Sequence, residues 1–202
     1  MHTNSKLLFR KYARGYFRSG MRVLEIGPDR FPSTYQSIVS DKSIIWETLD
    51  VYQSPHLTFS ASSEYSFPIA SNTYDIVLSG QVIEHVRRIW AWMPELARVC
   101  KVGGIVITIN PVSWPYHEVP IDCWRAFPEA MKALYEDSSL DVLLSLWGSL
   151  EATNYRRHLP GRSPEWQPYL LRNIFRILGT LGFPVERAYD TITIGKKRVD
   201  AP

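Results

Sequence analysis

Apolar positions along this chain follow two rhythms. From Ser5 to about Arg18, Leu8, Phe9, Tyr12, Ala13 and Tyr16 recur three or four residues apart, which predicts an amphipathic helix with one basic face. Short, mainly apolar runs then take over. Arg22–Ile26 stops at Gly27-Pro28, Ser43–Asp50 ends in a carboxylate, and Tyr74–Ser79 and Ile105–Asn110 repeat the pattern. Runs with no polar face predict strands covered on both sides. Leu57–Phe59 is a weaker strand. Residues 33–40 predict a short helix and Trp90–Cys100 a longer one, with Pro94 in its first turn or at a kink, and Gly103-Gly104 turning the chain back into a strand. Strands alternating with helices at this spacing predict an α/β fold, a doubly wound and mostly parallel sheet with helices on both faces.

Beyond Asn110 the rhythm breaks. Residues 111–128 hold Pro111, Pro115, Pro120 and Pro128 among Trp114, Tyr116 and Trp124, too many prolines for a regular element and too much apolar surface for a free linker. Ordered loops of this length are usually lids or binding segments. Phe127 to about Glu136 predicts a helix, Val142–Trp147 a strand, and residues 150–167 a polar insertion. Pro168–Leu181 predicts a last amphipathic helix stopped by Gly182-Phe183-Pro184, and Ala188–Lys197 a closing strand.

Composition narrows the class without naming the chemistry. The 202 residues suit one domain, and 45% hydrophobic with 21% charged residues is globular rather than disordered. No apolar run reaches the ~20 residues of a membrane span, and the first residues lack the apolar core of a secretory signal. Two cysteines, Cys100 and Cys123, stand at no metal-type spacing. A cytoplasmic protein, monomeric or homodimeric, is the expectation; Trp147, Trp166 and Tyr169 allow a dimer face. Net charge is only +3, but the six basic residues up to Arg22 (Lys6, Arg10, Lys11, Arg14, Arg18, Arg22) come without a single acid. That face is either a solvated docking helix or a lip that attracts an anionic partner.

In an open parallel sheet, ligands lie beyond the carboxyl ends of the strands. Here those ends carry Glu25-Ile26-Gly27-Pro28-Asp29 and Asp50. A dinucleotide turn would read G-x-G-x-x-G; one glycine followed by Pro28 and Asp29 disfavours a pyrophosphate. A carboxylate closing the second strand suits a ribose diol, and an acidic loop suits a sulfonium and an ammonium group.

These residues resemble a known family. VLEIGP (Val23–Pro28), TLDV ending at Val51, FPIASNTYDIVLSGQVIEHV (Phe67–Val86) and ARVCKVGGIVITINP (Ala97–Pro111) are similar to the successive motifs of class I S-adenosylmethionine-dependent methyltransferases, and FPEAMKALYEDSSLDVLLSLWGS to their later helix and strand. The resemblance implies one Rossmann-like domain over 1–202 with a seven-stranded sheet, and S-adenosylmethionine as cofactor. It places Glu25, Gly27 and the adjoining Pro28 at the methionine end, Asp50 on the ribose hydroxyls and Val51 on adenine. Ser62, Ser63 and Glu64 are the candidates for the adenine amino group, and Ser79 and Gln81 for the methionine and the transferring methyl. The first motif departs from the family in keeping only Gly27 of two or three glycines, so the loop takes a different path. His85, at a helix start, either packs or acts as base.

For the acceptor, the stretch Tyr116–Pro128 is similar to a P-x-D-x-x-R-x-x-P segment of methyltransferases found with sugar and polysaccharide biosynthesis. It implies an aromatic acceptor pocket in which His117 or Asp122 handles a proton; the alternative is a structural loop in which Asp122 pairs with Arg125. Glu118 and Asp122 are the carboxylates a metal would need there, but no strong ligand pattern supports one, and none is expected. The reading is methyl transfer to a small molecule, a sugar or natural-product hydroxyl. RNA or protein methylation through the basic first helix, and a non-catalytic binding module on the same fold, are the alternatives.

Overall fold

The computed structural model describes residues 3–118, 120–151 and 188–199, with 173–174, 177–178 and 180–181. Its centre is a seven-stranded sheet in the order β3-β2-β1-β4-β5-β7-β6. β1 (Arg22–Ile26), β2 (Ile45–Asp50), β3 (Phe59–Ser60), β4 (Tyr74–Gly80) and β5 (Cys100–Ser113) run parallel. β7 (Tyr189–Lys197) enters between β5 and β6 (Leu140–Gly148) and is antiparallel to both. The apolar runs read as strands are strands, and β1, β4 and the middle of β5 are buried along almost their whole length.

Two apolar layers cover the faces. On one side α3 (Ile89–Val99) and α4 (Pro128–Asp137) lay Trp92, Met93, Leu96, Met131 and Tyr135 against Leu24, Val77 and Val106. On the other, α2 (Thr34–Val39) and the N-terminal helical stretch pack Tyr35, Leu8 and Phe9 against Val23, Ile76 and Ile107. Fully burying side chains of this size contributes roughly 1.5–3 kcal/mol each. The N-terminal stretch is helical in three successive hydrogen-bond patterns: α1 (Thr3–Leu8), a π turn (Phe9–Ala13) and a 3₁₀ turn (Arg14–Tyr16), ending where Phe17 becomes extended. Its basic side is solvated, with Arg10, Lys11 and Arg14 exposed. Its polar residues face inward: the Asn4 amide donates to Asp190 Oδ2 (2.6 Å) and Gly148 O (2.9 Å), and Ser5 Oγ accepts from Gln81 Nε2 (2.8 Å).

Two expectations change. Gly103-Gly104 is not a helix-to-strand turn: Val99 passes directly into extended Cys100, and the glycines lie within β5. There β5 bulges, since Tyr74 pairs with Cys100 while Ile76 pairs with Ile105. A Cβ at Gly104 would sit 2.9 Å from Asp75 O, so the bulge admits only a bare backbone. Of the two alternatives for Pro94, the first turn is excluded, since it falls in the second turn of α3. The 150–167 insertion and most of the predicted helix at 168–181, including Trp166 and Tyr169, lie outside the described residues; 173–174, 177–178 and 180 are helical. Among the described residues no helix is long and apolar enough to cross a membrane.

Candidate active site

At the carboxyl ends of β1, β2 and β4 lies a cavity of about 240 Å³, lined from β1 by Ile26 and Gly27, from β2 by Leu49, Asp50, Val51 and Tyr52, and from beyond β4 by Gln81, Val82, His85 and Val86. Glu64, Phe67, Trp92 and Pro120 complete it. Gly27 adopts φ +66°, its amide donates to Leu49 O (2.9 Å), and a Cβ there would come within 2.4 Å of Val82 Cγ2. A side chain at the single glycine of the turn would therefore fill the space between β1 and the segment after β4. Asp50 uses Oδ1 to accept from the Val51 and Tyr52 amides (2.7 and 3.3 Å), which fixes the carboxylate at the cavity edge. Gln81 also has a positive φ, +61°. Its side-chain Nε2 donates to Ser5 Oγ (2.8 Å) and to Asp190 Oδ1 (3.1 Å).

Of the residues singled out in the sequence, Gly27, Asp50, Val51, Glu64, Gln81 and His85 line this cavity, and the others do not. Glu25 is buried behind it, accepting at Oε2 from Ser33 Oγ (2.5 Å) and Trp46 Nε1 (2.8 Å). Burial raises its pKa to about 7 against the opposing pull of those two hydrogen bonds. Asp29 is spent at the start of α2, accepting from the Thr34 amide (2.9 Å) and hydroxyl (2.7 Å) beside the N-cap Ser33. Pro28 and the buried Ser79 stand outside the lining, and Ser62 and Ser63 line a neighbouring hollow with Tyr65, Arg87 and Arg88. Tyr52, Phe67, Val82 and Trp92 went unnoticed because an apolar lining residue carries no signature distinct from core.

The stretch before β4 is held from α3. Glu95 Oε1 accepts the Phe67 amide (2.5 Å), and Arg98, paired with Glu95 (2.7 Å), donates to Phe67 O (3.2 Å) and Ile69 O (2.8 Å). This clamp presents Phe67 to the cavity.

Across the cavity, the loop from Trp114 to Phe127 is fastened to the 3₁₀ turn Ile83–His85. The Cys123 amide donates to Glu84 O (2.7 Å), Trp124 Nε1 to Val86 O (2.8 Å), and His85 Nδ1 meets Ile121 O (2.5 Å). Arg125 is the loop's internal hub, reaching Asp122 Oδ1 (2.5 Å) and Oδ2 (2.7 Å) as well as the carbonyls of Trp114 and Pro115. Burial opposes ionisation of Asp122, but Arg125 and the His117 amide (2.9 Å) outweigh it and hold the carboxyl at about 2. Asp122 is thus an ionised anchor, the pairing with Arg125 that the sequence left as the alternative. Glu118 accepts from Tyr116 Oη (2.6 Å) on the exposed side.

His117 packs edge-on against His85, ring centroids 5.1 Å apart. Its Nδ1 lies 3.1 Å from Pro115 O and 3.2 Å from Asp122 Oδ2; both are acceptors, so Nδ1 carries the hydrogen. Ile121 O makes the same assignment for His85. Burial lowers the His117 pKa, leaving a neutral ring with its lone pair on Nε2. Glu84, absent from the sequence-derived candidates, is buried beside them; burial raises its carboxyl to about 8, with Arg125 pulling the other way, and Oε2 has no hydrogen-bond donor.

Comparison with known proteins finds a family match over part of the chain and a shared fold over most of it. Residues 39–108, about a third of the chain, match the methyltransferase domain family. A 55-residue segment is 40% identical to an uncharacterized methyltransferase of Mycobacteroides abscessus, covering 27% of this chain and 21% of that protein. The match thus spans about a fifth of the relative's length. Among solved structures, a SAM-dependent methyltransferase from Archaeoglobus fulgidus superposes with a TM-score of 0.60 at 15% identity, over 95% of this chain and 92% of its own. The phosphoethanolamine N-methyltransferase 2 of Haemonchus contortus, solved with S-adenosyl-L-methionine, gives 0.60 at 11% identity over 97% of this chain and 53% of its own. At such identities these structures speak for the fold, and the family match for the sequence between β2 and β5. Residues 39–108 thus carry a methyltransferase-domain sequence, set in a fold shared with solved methyltransferases.

Proposed function

We propose that the chain binds S-adenosylmethionine in the cavity at the strand ends and transfers its methyl group to a hydroxyl of a small molecule, a sugar or natural product. The observation that carries this reading is the composition of the cavity: mostly apolar walls with the carboxylates of Asp50 and Glu64 and the imidazole of His85. Its residues fit the cofactor. Asp50 would accept hydrogen bonds from the ribose hydroxyls, Val51 and Phe67 would face adenine, Glu64 would approach the adenine amino group, and the bare Gly27 backbone would pass the methionine end. When bound, the cofactor would supply a methyl carbon activated by a positively charged sulfur, with the neutral sulfide as its leaving group.

What this chain's residues add is alignment and activation of the acceptor. A bimolecular displacement gains most from holding its partners in line, about 3 Å apart. A hydroxyl must also lose its proton. That His85 lines the cavity and His117 packs against it supports activation of the acceptor hydroxyl at their Nε2 edges. Asp122 and Arg125 fix His117 from behind, and Trp114, Tyr116 and Trp124 of the same loop offer the aromatic faces on which a sugar ring stacks.

Calorimetry with S-adenosylhomocysteine tests the cofactor half. Asp50→Ala should weaken binding by about 1–3 kcal/mol through the lost ribose hydrogen bonds, and an unchanged dissociation constant would refute the assignment. For the acceptor half, His85→Ala and His117→Ala belong in single-turnover assays with labelled cofactor. A methyl-transfer rate within about tenfold of the parent for both variants would remove the histidines from the chemistry.

A further inference from the structure

Glu84, His85 and His117 each offer one donor atom within 4.8 Å of the other two, the one such group of potential metal ligands among the described residues. We propose that these three side chains bind a single divalent cation of the zinc class at the acceptor end of the cavity. The proposal rests on the methyl-transfer reading only for its consequence, activation of an acceptor hydroxyl; cation binding stands on the geometry alone.

Three features support it. First, both imidazoles are turned for ligation: each commits its Nδ1 hydrogen to a backbone carbonyl, that of Ile121 for His85 and Pro115 for His117, with Asp122 behind the latter. Metal-bound histidines are held in this way, the far nitrogen donating to a carbonyl or carboxylate while the near one keeps its lone pair. Second, Glu84 is 1% exposed, yet Oε2 has no donor and Oε1 stands 3.8 Å from His85 Nε2, beyond hydrogen-bond length. A buried carboxylate oxygen without a donor is costly, and a cation between it and two lone pairs would satisfy all three at once. Arg125, the nearby charge that could serve Glu84, is bound to both oxygens of Asp122. Third, the ligands sit on braced backbone: Glu84 O takes the Cys123 amide and the His117 amide bonds to Asp122, so the loop and the 3₁₀ turn hold the donors together.

Two imidazoles and one carboxylate favour zinc, cobalt or ferrous iron over magnesium or calcium, which prefer oxygen ligands. Three protein donors also leave a coordination position open, as in sites that meet a substrate. His85 lines the cavity, so that position faces the acceptor. A hydroxyl coordinated there releases its proton to water more readily, and its oxygen then forms the bond to the methyl carbon.

The test is titration of chelator-treated protein with Zn²⁺ by calorimetry, and with Co²⁺ by visible absorption. One equivalent should bind, with a dissociation constant of about a micromolar or below. Glu84→Gln, which keeps the shape, and the His85→Ala/His117→Ala double variant should each weaken Zn²⁺ at least ~100-fold, with thermal melting confirming that the variants are folded. Absence of stoichiometric Zn²⁺ binding in the parent chain would overturn the proposal. So would parental affinity in the folded double variant, which would put the ion on other ligands such as the exposed Cys123. S-adenosylhomocysteine binding, measured on the same samples, separates the two readings. Zn²⁺ bound without it refutes the methyl-transfer reading and keeps the site, and the converse result does the reverse.

Discussion

At Glu25, burial and hydrogen bonding pull in opposite directions and burial wins, with consequences for stability. Its folded pKa of about 7 lies above the ordinary 4.5. Between those values the folded chain keeps a proton that the unfolded chain has released. The contribution is therefore full below about pH 4.5 and is lost as pH rises through 7, an effect of about 3 kcal/mol. Glu25→Gln should lose that part of the pH dependence while keeping an acceptor for Trp46. Urea midpoints at pH 5 and pH 8 check this; an equally steep decline in parent and variant would contradict it. The residue also shows where sequence reading stops. A carboxylate closing a first strand looks like a ligand for the cofactor, and only the arrival of Ser33 and Trp46 from separate elements turns it inward. Asp50 was legible because its surroundings are local: the amides of Val51 and Tyr52 fix it. Glu84 was not, since what isolates it is a loop some forty residues further along the chain.

Among the elements, the loop from Trp114 to Phe127 depends on one ion pair. Arg125→Met removes both guanidinium hydrogen bonds to Asp122, whose side chain is 1% exposed, and leaves it the His117 amide. Breaking a buried pair from one side costs about 3–5 kcal/mol. Urea unfolding should show a loss of that order, and limited proteolysis should cut faster between residues 114 and 127. The Arg125→Met/Asp122→Leu double variant should recover part of the stability. Cleavage and unfolding unchanged in Arg125→Met would mean that the loop is held by its aromatics instead. The alternation of apolar runs made the strands, α2, α3 and α4 readable, because each buries a face with its own period. The β5 bulge was not readable, since two glycines after a helix signal a turn equally well. What the bulge demands is a residue without Cβ at Gly104, because Cys100 Sγ, Asp75 O and Lys101 O crowd that position.

Over the whole molecule, the N-terminal stretch is tied to the far edge of the sheet, where Asn4 bridges Gly148, Leu150 and Asp190. Asn4→Ala removes a 2.6 Å donor from the buried Asp190 and should cost about 1–3 kcal/mol in chemical unfolding; a change below 0.5 kcal/mol (about the scatter of surface substitutions) would show that the helix packs without contributing this anchor. Outward, Arg10, Lys11 and Arg14 stay exposed. Affinity for RNA that falls steeply with salt would move the acceptor from a small molecule to a nucleic acid.

The central claim is that the strand-end cavity receives the adenosyl group with its sulfur toward His85, and a crystal structure with S-adenosylhomocysteine tests it most directly. The account predicts ribose hydroxyls on Asp50, adenine against Val51 and Phe67, and the sulfur on the side of His85 and His117. Density for the ligand at any other position, or a saturated crystal with the cavity filled by its own side chains, would contradict it.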